Sequence, residues 1–96
     1  MFVTIVEGEV QPGREDNLRS AWEQRRSELP AGLIRSFLLR GEKAANWRIV
    51  TVWESREAVM AMRASGERPA ALAMFEQAGA DPIPSFWSVE GHAGRD

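Results

Sequence analysis

The chain contains no cysteine and no tyrosine, and its one histidine, His92, stands near the C-terminal end. Without thiols there is no disulfide, no thiolate-bound metal or iron–sulfur cluster, and no cysteine nucleophile. That usage fits a reducing compartment. A single imidazole excludes a metal site built from several histidines of one chain, so no metal is expected. No apolar run approaches the roughly 20 residues of a membrane-spanning helix. The opening MFVTIVEGEV is too short and too alternating for a secretory signal and lacks a basic start. These features predict a cytoplasmic protein. An excess of either charge is also lacking: the net charge is −2 and the isoelectric point about 5.4. Nothing electrostatic therefore draws the chain to nucleic acid or to an anionic membrane. A Gly-rich phosphate loop, a Ser–His–Asp order and a metal-ligand spacing are all missing.

What is present suits one folded unit. Ninety-six residues, 44% hydrophobic and 27% charged, are expected to form a single domain over 1–96, with a loose tail from about residue 92. A chain this short buries only roughly two thirds of its unfolded surface, so its core is thin and a partner subunit would help. Four tryptophans are many for such a core.

The pattern of elements is clear. Residues 2–10, FVTIVEGEV, are rich in β-branched side chains and predict a strand, which QPG (11–13) ends. Arg14 to Leu29 predicts a helix, with Glu15 and Asp16 in the first turn where the macrodipole favours acids. Leu18, Ala21, Trp22, Arg25 and Leu29 share one of its faces. Pro30-Ala31-Gly32 stops it. LIRSFLLR (33–40) and WRIVTVWE (47–54) predict two strands of a hairpin across a short polar link. Ser55 can cap the next helix, whose end suits Gly66 at C′. Pro69 can open a further short helix at its first position, carrying Leu72 and Phe75. IPSFWSVEG (83–91) predicts the last strand. The order β-α-β-β-α-β is the ferredoxin-like α+β plan: one antiparallel sheet with helices on one face.

Such a sheet should leave one face wet, yet both alternations are partly apolar. Trp47, Ile49, Thr51 and Trp53 point one way, and Arg48, Val50, Val52 and Glu54 the other. Helices cover only one face. Large exposed apolar patches are rare on monomers, so the second face, with Val50 and Val52, is expected to meet a second copy of the chain.

Three stretches carry a family resemblance: V-x-P-G-R-E-D (10–16), P-A-G (30–32) and V-W-E-S-R-E-A (52–58). In this order and spacing the chain resembles the antibiotic biosynthesis monooxygenase domain of the dimeric α+β barrel superfamily. The resemblance implies a homodimer joined through the open sheet faces, and a pocket between sheet and helices in each subunit. Some relatives oxidise polyphenolic or quinol-like molecules with dioxygen and no metal or flavin, the substrate anion itself reducing oxygen; others degrade haem. Trp53 matches the tryptophan that lines the pocket in several members. Ile49 stands where aromatic-ring oxygenases of the family carry an asparagine, and Val59 lies near their pocket tyrosine. Val6 and Arg63 fall at the asparagine and histidine positions of the haem-degrading branch. No cofactor is expected here.

The candidate pocket residues are thus Trp53, Trp22, Val6, Met62, Arg63 and Phe75. Each has a plainer reading. Trp53 can be a core plug. Trp22, on the inner face of the first helix, can be core or pocket roof. Met60, Met62, Met74 and Phe75 can be ordinary packing or an adaptable wall. Arg63 can hold a phenolate or carboxylate bidentately, or be an exposed helix arginine paired with Glu67. Glu7 and Glu9 share a strand face and suit ion pairs with Arg35, Arg40 or Arg48. His92 could act as a base only if the tail reached a site. No catalytic residue is identifiable. The expected function is a cofactor-independent monooxygenase acting on an aromatic or quinol-like small molecule; a non-catalytic small-molecule binding or interaction domain on the same scaffold is the alternative.

Overall fold

The computed structural model describes residues 1–43, 45–66 and 68–95. Four strands and three helices follow in the order β1 (Phe2–Glu9), α1 (Glu15–Arg25), β2 (Leu33–Arg40), β3 (Asn46–Trp53), α2 (Arg56–Ala64), α3 (Ala70–Gln77) and β4 (Ile83–Ser88). The sheet runs β2-β3-β1-β4, with every neighbouring pair antiparallel. This is the ferredoxin-like α+β fold, with two short helices in the second crossover.

Local chemistry sets most boundaries. The hydroxyl of Ser55 accepts the Ala58 amide at 3.2 Å and starts α2 as an N-cap. Pro69 precedes the first helical residue of α3, with ψ 131°, so it sits one position earlier than expected; its fixed φ still points the chain into the helix. The first helix ends at Arg25, not at Leu29. Pro30 biases the residue before it away from helical geometry, and Leu29, 52% exposed, has no core surface to hold a further turn down. The Arg14 guanidinium donates to the Gln77 carbonyl at 2.8 Å and ties the start of α1 to the end of α3.

One sheet face is buried under the helices. It is best seen as rows running across the strands from β4 to β2. Ser88, Phe2, Trp53 and Leu33 form one row; Phe86, Thr4, Thr51 and Ser36 the next; Pro84, Val6, Ile49 and Leu38 the third. The apolar core divides along these rows. Phe2, Trp53 and Val59 form a small cluster, joined by Leu33, Ala58 and Met62. Val6, Val10, Leu18, Ala21, Trp47, Ile49, Met74 and Phe75 belong to a larger one under α1 and α3. Trp47 is buried with its indole N–H unpartnered among the described residues, and the guanidiniums of Arg19 and Arg40 lie 5.0 and 5.5 Å from its ring centroid. The attraction of cations to the ring face offsets part of the cost of that orphan donor.

The opposite face carries Val3, Ile5, Val50 and Val52 in its centre. Phe37, Leu39, Ile83 and Trp87, each 45–61% exposed, stand on its outer strands. A cross-strand ion pair on it joins Arg48 to Glu7 at 3.1 Å.

Gly32 shows how tightly the turn into β2 meets α2. Its φ is +85°, and a Cβ there would lie 2.5 Å from the Ala58 Cβ. Gly32→Ala combines left-handed backbone strain with that overlap. It should cost at least about 2 kcal/mol, lowering Tm by roughly 8 °C or more in a domain of this size. Thermal melting followed by circular dichroism checks this, and an unchanged Tm would contradict the packing described.

Candidate functional site

The row Phe86–Thr4–Thr51–Ser36 separates the two apolar clusters, because three of its four side chains are short and polar. Neither cluster closes over it. A cavity of about 750 Å3 lies there, floored by this row and walled by Trp22, Trp53, Met62, Leu72 and Met74. Of the residues singled out from the sequence, Trp53, Trp22, Val6, Met62 and Arg63 line this space. Phe75 does not. It is fully buried in the larger cluster, its ring lying where a Cβ on Gly8 would meet Cδ1 at 3.0 Å. The missing side chain of Gly8 draws the ring down onto β1 and away from the cavity, and the neighbouring α3 residues Leu72 and Met74 provide the wall instead.

Trp53 is both plug and wall. It is 3% exposed and packed in the smaller cluster, and it also borders the cavity. Its indole N–H is engaged within the protein: Nε1 donates to the Thr4 Oγ1 at 3.0 Å, a diagonal contact between adjacent rows. Thr4 therefore accepts through its oxygen, and its own O–H proton is left to find another acceptor on the cavity side. The Ser36 and Thr51 hydroxyls lie 3.4 Å apart. One donates to the other, so one O–H of that pair is also available. The floor can thus present two hydroxyl donors to oxygen atoms of a flat guest, within an otherwise apolar enclosure.

The mouth is cationic. Among the described residues Arg25, Arg26, Arg63 and Arg68 line it, against one carboxylate, Glu28. Arg26 is paired with Glu23 at 3.3 Å and lies 5.9 Å from the Trp22 ring centroid. Arg68 binds Glu76 through two hydrogen bonds, one of them 2.8 Å from Nε. The hydrogen bond and charge of Arg68 hold the Glu76 carboxyl below its ordinary range, and Glu76 in turn raises Arg68. Both are exposed, so the pair contributes little to stability. The Arg63 guanidinium lies 5.1 Å from the Phe86 centroid, at the β4 end of the hydroxyl row. The alternative pairing of Arg63 with Glu67 falls outside the described residues.

Thr4, Thr51, Ser36, Arg25, Arg26 and Arg68 line the cavity in addition to the residues the sequence points to. A signal existed for the hydroxyls. Thr4 and Thr51 share the alternation phase of Phe2, Val6, Ile49 and Trp53, and polar side chains on an inward face stand out there. Glu7 meets Arg48, as an ordinary cross-strand pair. Among the described residues no group of three or more His, Asp or Glu side chains is placed to hold a metal ion, and no helix is long and apolar enough to cross a membrane.

The antibiotic biosynthesis monooxygenase family model matches residues 1–77. No curated protein sequence matches the chain. Solved structures of the same fold do. SnoaB from Streptomyces nogalater, described as a cofactor-independent oxygenase, superimposes in a variant form with a TM-score of 0.74 at 14% identity, covering 98% of this chain and 97% of that one. A Mycobacterium tuberculosis protein gives 0.72 at 15% identity, with 97% and 98% covered. A variant of MhuD with two manganese protoporphyrin IX molecules per active site gives 0.72 at 22% identity, with 99% and 100% covered.

Proposed function

As this chain belongs to the antibiotic biosynthesis monooxygenase family, we propose that its cavity takes an aromatic, quinol-like molecule and that the protein is a cofactor-independent monooxygenase acting on it. The observation that carries this reading is the hydroxyl row of Thr4, Thr51 and Ser36 under aromatic and methionine walls. A flat ring would lie over the row, with its oxygen substituents accepting from the free hydroxyls. Trp53 and Trp22 offer flat contact surface, and Met62 and Met74 adjust to the guest's outline. In the reaction a ring carbon beside an ionised oxygen gives its electrons to dioxygen. One oxygen atom ends as a carbonyl on that carbon, the ionised oxygen becomes a second carbonyl, and the other oxygen atom leaves as water, which takes the one hydrogen displaced from that carbon and one proton from solvent. The protein's part is to orient the ring, exclude bulk water and stabilise the anion.

Haem does not suit this wall. Among the described residues the lining side chains include no His, Cys or Tyr, and their soft donors are the thioethers of Met62 and Met74. Haem proteins use methionine as a ligand together with histidine, and none is at hand here.

Oxygen uptake with a panel of hydroxyarenes and hydroquinones tests the proposal. Turnover should persist with excess chelator, in protein that has no Soret or flavin absorption. Activity that is lost on chelation, or that follows a stoichiometric Soret band, would refute it. Tight binding of panel members without any oxygen uptake would establish the second reading, a non-catalytic binding domain. One observation favours that reading: among the described residues the cavity wall carries a single carboxylate, the exposed Glu28, and no His, Lys, Asp or Tyr to take a proton.

We also propose that two copies of the chain associate through the open sheet face, burying Val50 and Val52 with Phe37, Leu39, Ile83 and Trp87. A contiguous apolar face of this kind is the usual mark of an interface.

A further inference from the structure

The charge at the cavity mouth runs against the charge of the molecule. The chain carries a net −2, yet among the described residues four arginines and one glutamate line the cavity. Two of the four have carboxylate partners, Arg26 in Glu23 and Arg68 in Glu76. Among the described residues Arg25 and Arg63 have none. Arg63 is held over Phe86, and Phe86 stands in the same row as Thr4 and Thr51, so the guanidinium sits at the end of the hydroxyl floor. Among the described residues the one carboxylate of the lining is the exposed Glu28.

From these observations we infer that the ligand is an aromatic anion that carries its charge before it binds, and that Arg63, with Arg25, selects for that charge. The inference rests on the reading of the cavity as an aromatic site and adds the chemical class of the guest. The floor of the cavity offers neutral hydroxyls, so the charge that a guanidinium at its end reads is one the guest itself carries, as a carboxylate or an ionised phenol. The planar guanidinium fork matches either oxygen pattern. An exposed arginine alone discriminates weakly in water. Here low-dielectric walls concentrate the field at the mouth, while the negative remainder of the surface repels the same anion elsewhere.

Isothermal titration with 2-naphthoate and 2-naphthamide tests this, since the two share a ring and an outline and differ in charge. Naphthoate should bind about tenfold or more tightly at low ionic strength, and the ratio should fall as salt rises, because the mouth is open to solvent. Arg63→Gln should remove most of the ratio by lowering naphthoate affinity much more than naphthamide affinity; Arg25→Gln should remove part of it; Arg63→Lys should keep more of it than Arg63→Gln. Equal binding of the two probes by the wild type overturns the inference and leaves the aromatic site standing. Binding of neither overturns both. Discrimination that survives in Arg63→Gln and Arg25→Gln alike, or an equal loss of both probes in Arg63→Gln, assigns these arginines no part in reading the charge.

Discussion

Val50→Asp should turn a particle of about 21 kDa, two chains related by a twofold axis, into one of 10.7 kDa. Val50 lies on the open sheet face between Phe37 of β2 and Ile5 of β1, so both cross-strand neighbours are apolar. In a joined pair of sheets a carboxylate there would be buried with no partner in its own row, at a cost of several kcal/mol. A thin interface between two small domains has little to set against that. Val52→Asp should have a smaller effect, although Val52 is as central. Arg35 stands opposite it and can pair with the new carboxylate across the strands. The difference between the two variants separates specific burial from a general sensitivity of β3 to charge. Light scattering at micromolar concentration reads both. A wild-type protein that is already monomeric would remove the proposed interface, and a Val50→Asp variant that stays dimeric would place it elsewhere. In the free chain both substitutions sit on an exposed or half-exposed face, so circular dichroism should show both variants folded.

Trp53 is the site of the second large effect, on stability. Trp53→Ala should cost roughly 3–5 kcal/mol. The indole fills the space among Phe2, Val59, Leu33, Ala58 and Met62, and that cluster is too small to collapse around the void. Trp53→Phe should cost under about 1.5 kcal/mol, because a ring remains and one hydrogen bond is lost. Its effect on a ligand is less direct than an exposed donor would give. The N–H is engaged by Thr4, so removing it lets the Thr4 hydroxyl turn and changes what the cavity floor presents. Aromatic ligand affinity should fall in Trp53→Phe. Thr4→Val, which lacks the hydroxyl and leaves the indole N–H without its partner, should lower it too. Thermal melts beside calorimetric titration measure both quantities. Unchanged affinity in Trp53→Phe together with a large loss of stability in Trp53→Ala would leave Trp53 as a plug only.

The sequence by itself determined the element order, the antiparallel hairpin of β2 and β3, the cap at Ser55 and the division of β3 into an inward Trp47–Ile49–Thr51–Trp53 phase and an outward Val50–Val52 phase. These are local properties: alternation has a period of two along a strand, and caps and breakers act within a turn. It also brought Trp53, Trp22, Val6, Met62 and Arg63 toward one site, through the family resemblance and the shared inward faces. The end of α1 was only partly legible, because whether Ser27 to Leu29 continue the helix depends on whether a core surface lies beneath them. The cavity floor was decided by the tertiary structure. Thr4, Thr51 and Ser36 come from three strands, and only the pairing register sets them in one row, with Phe86 and Arg63 at its end. Phe75 and Trp53 show the same limit in the other direction. Their apolar character was plain in the sequence. That one ring drops onto Gly8 while the other both seals a cluster and donates to Thr4 follows from residues distant in the chain, whose approach no local pattern encodes.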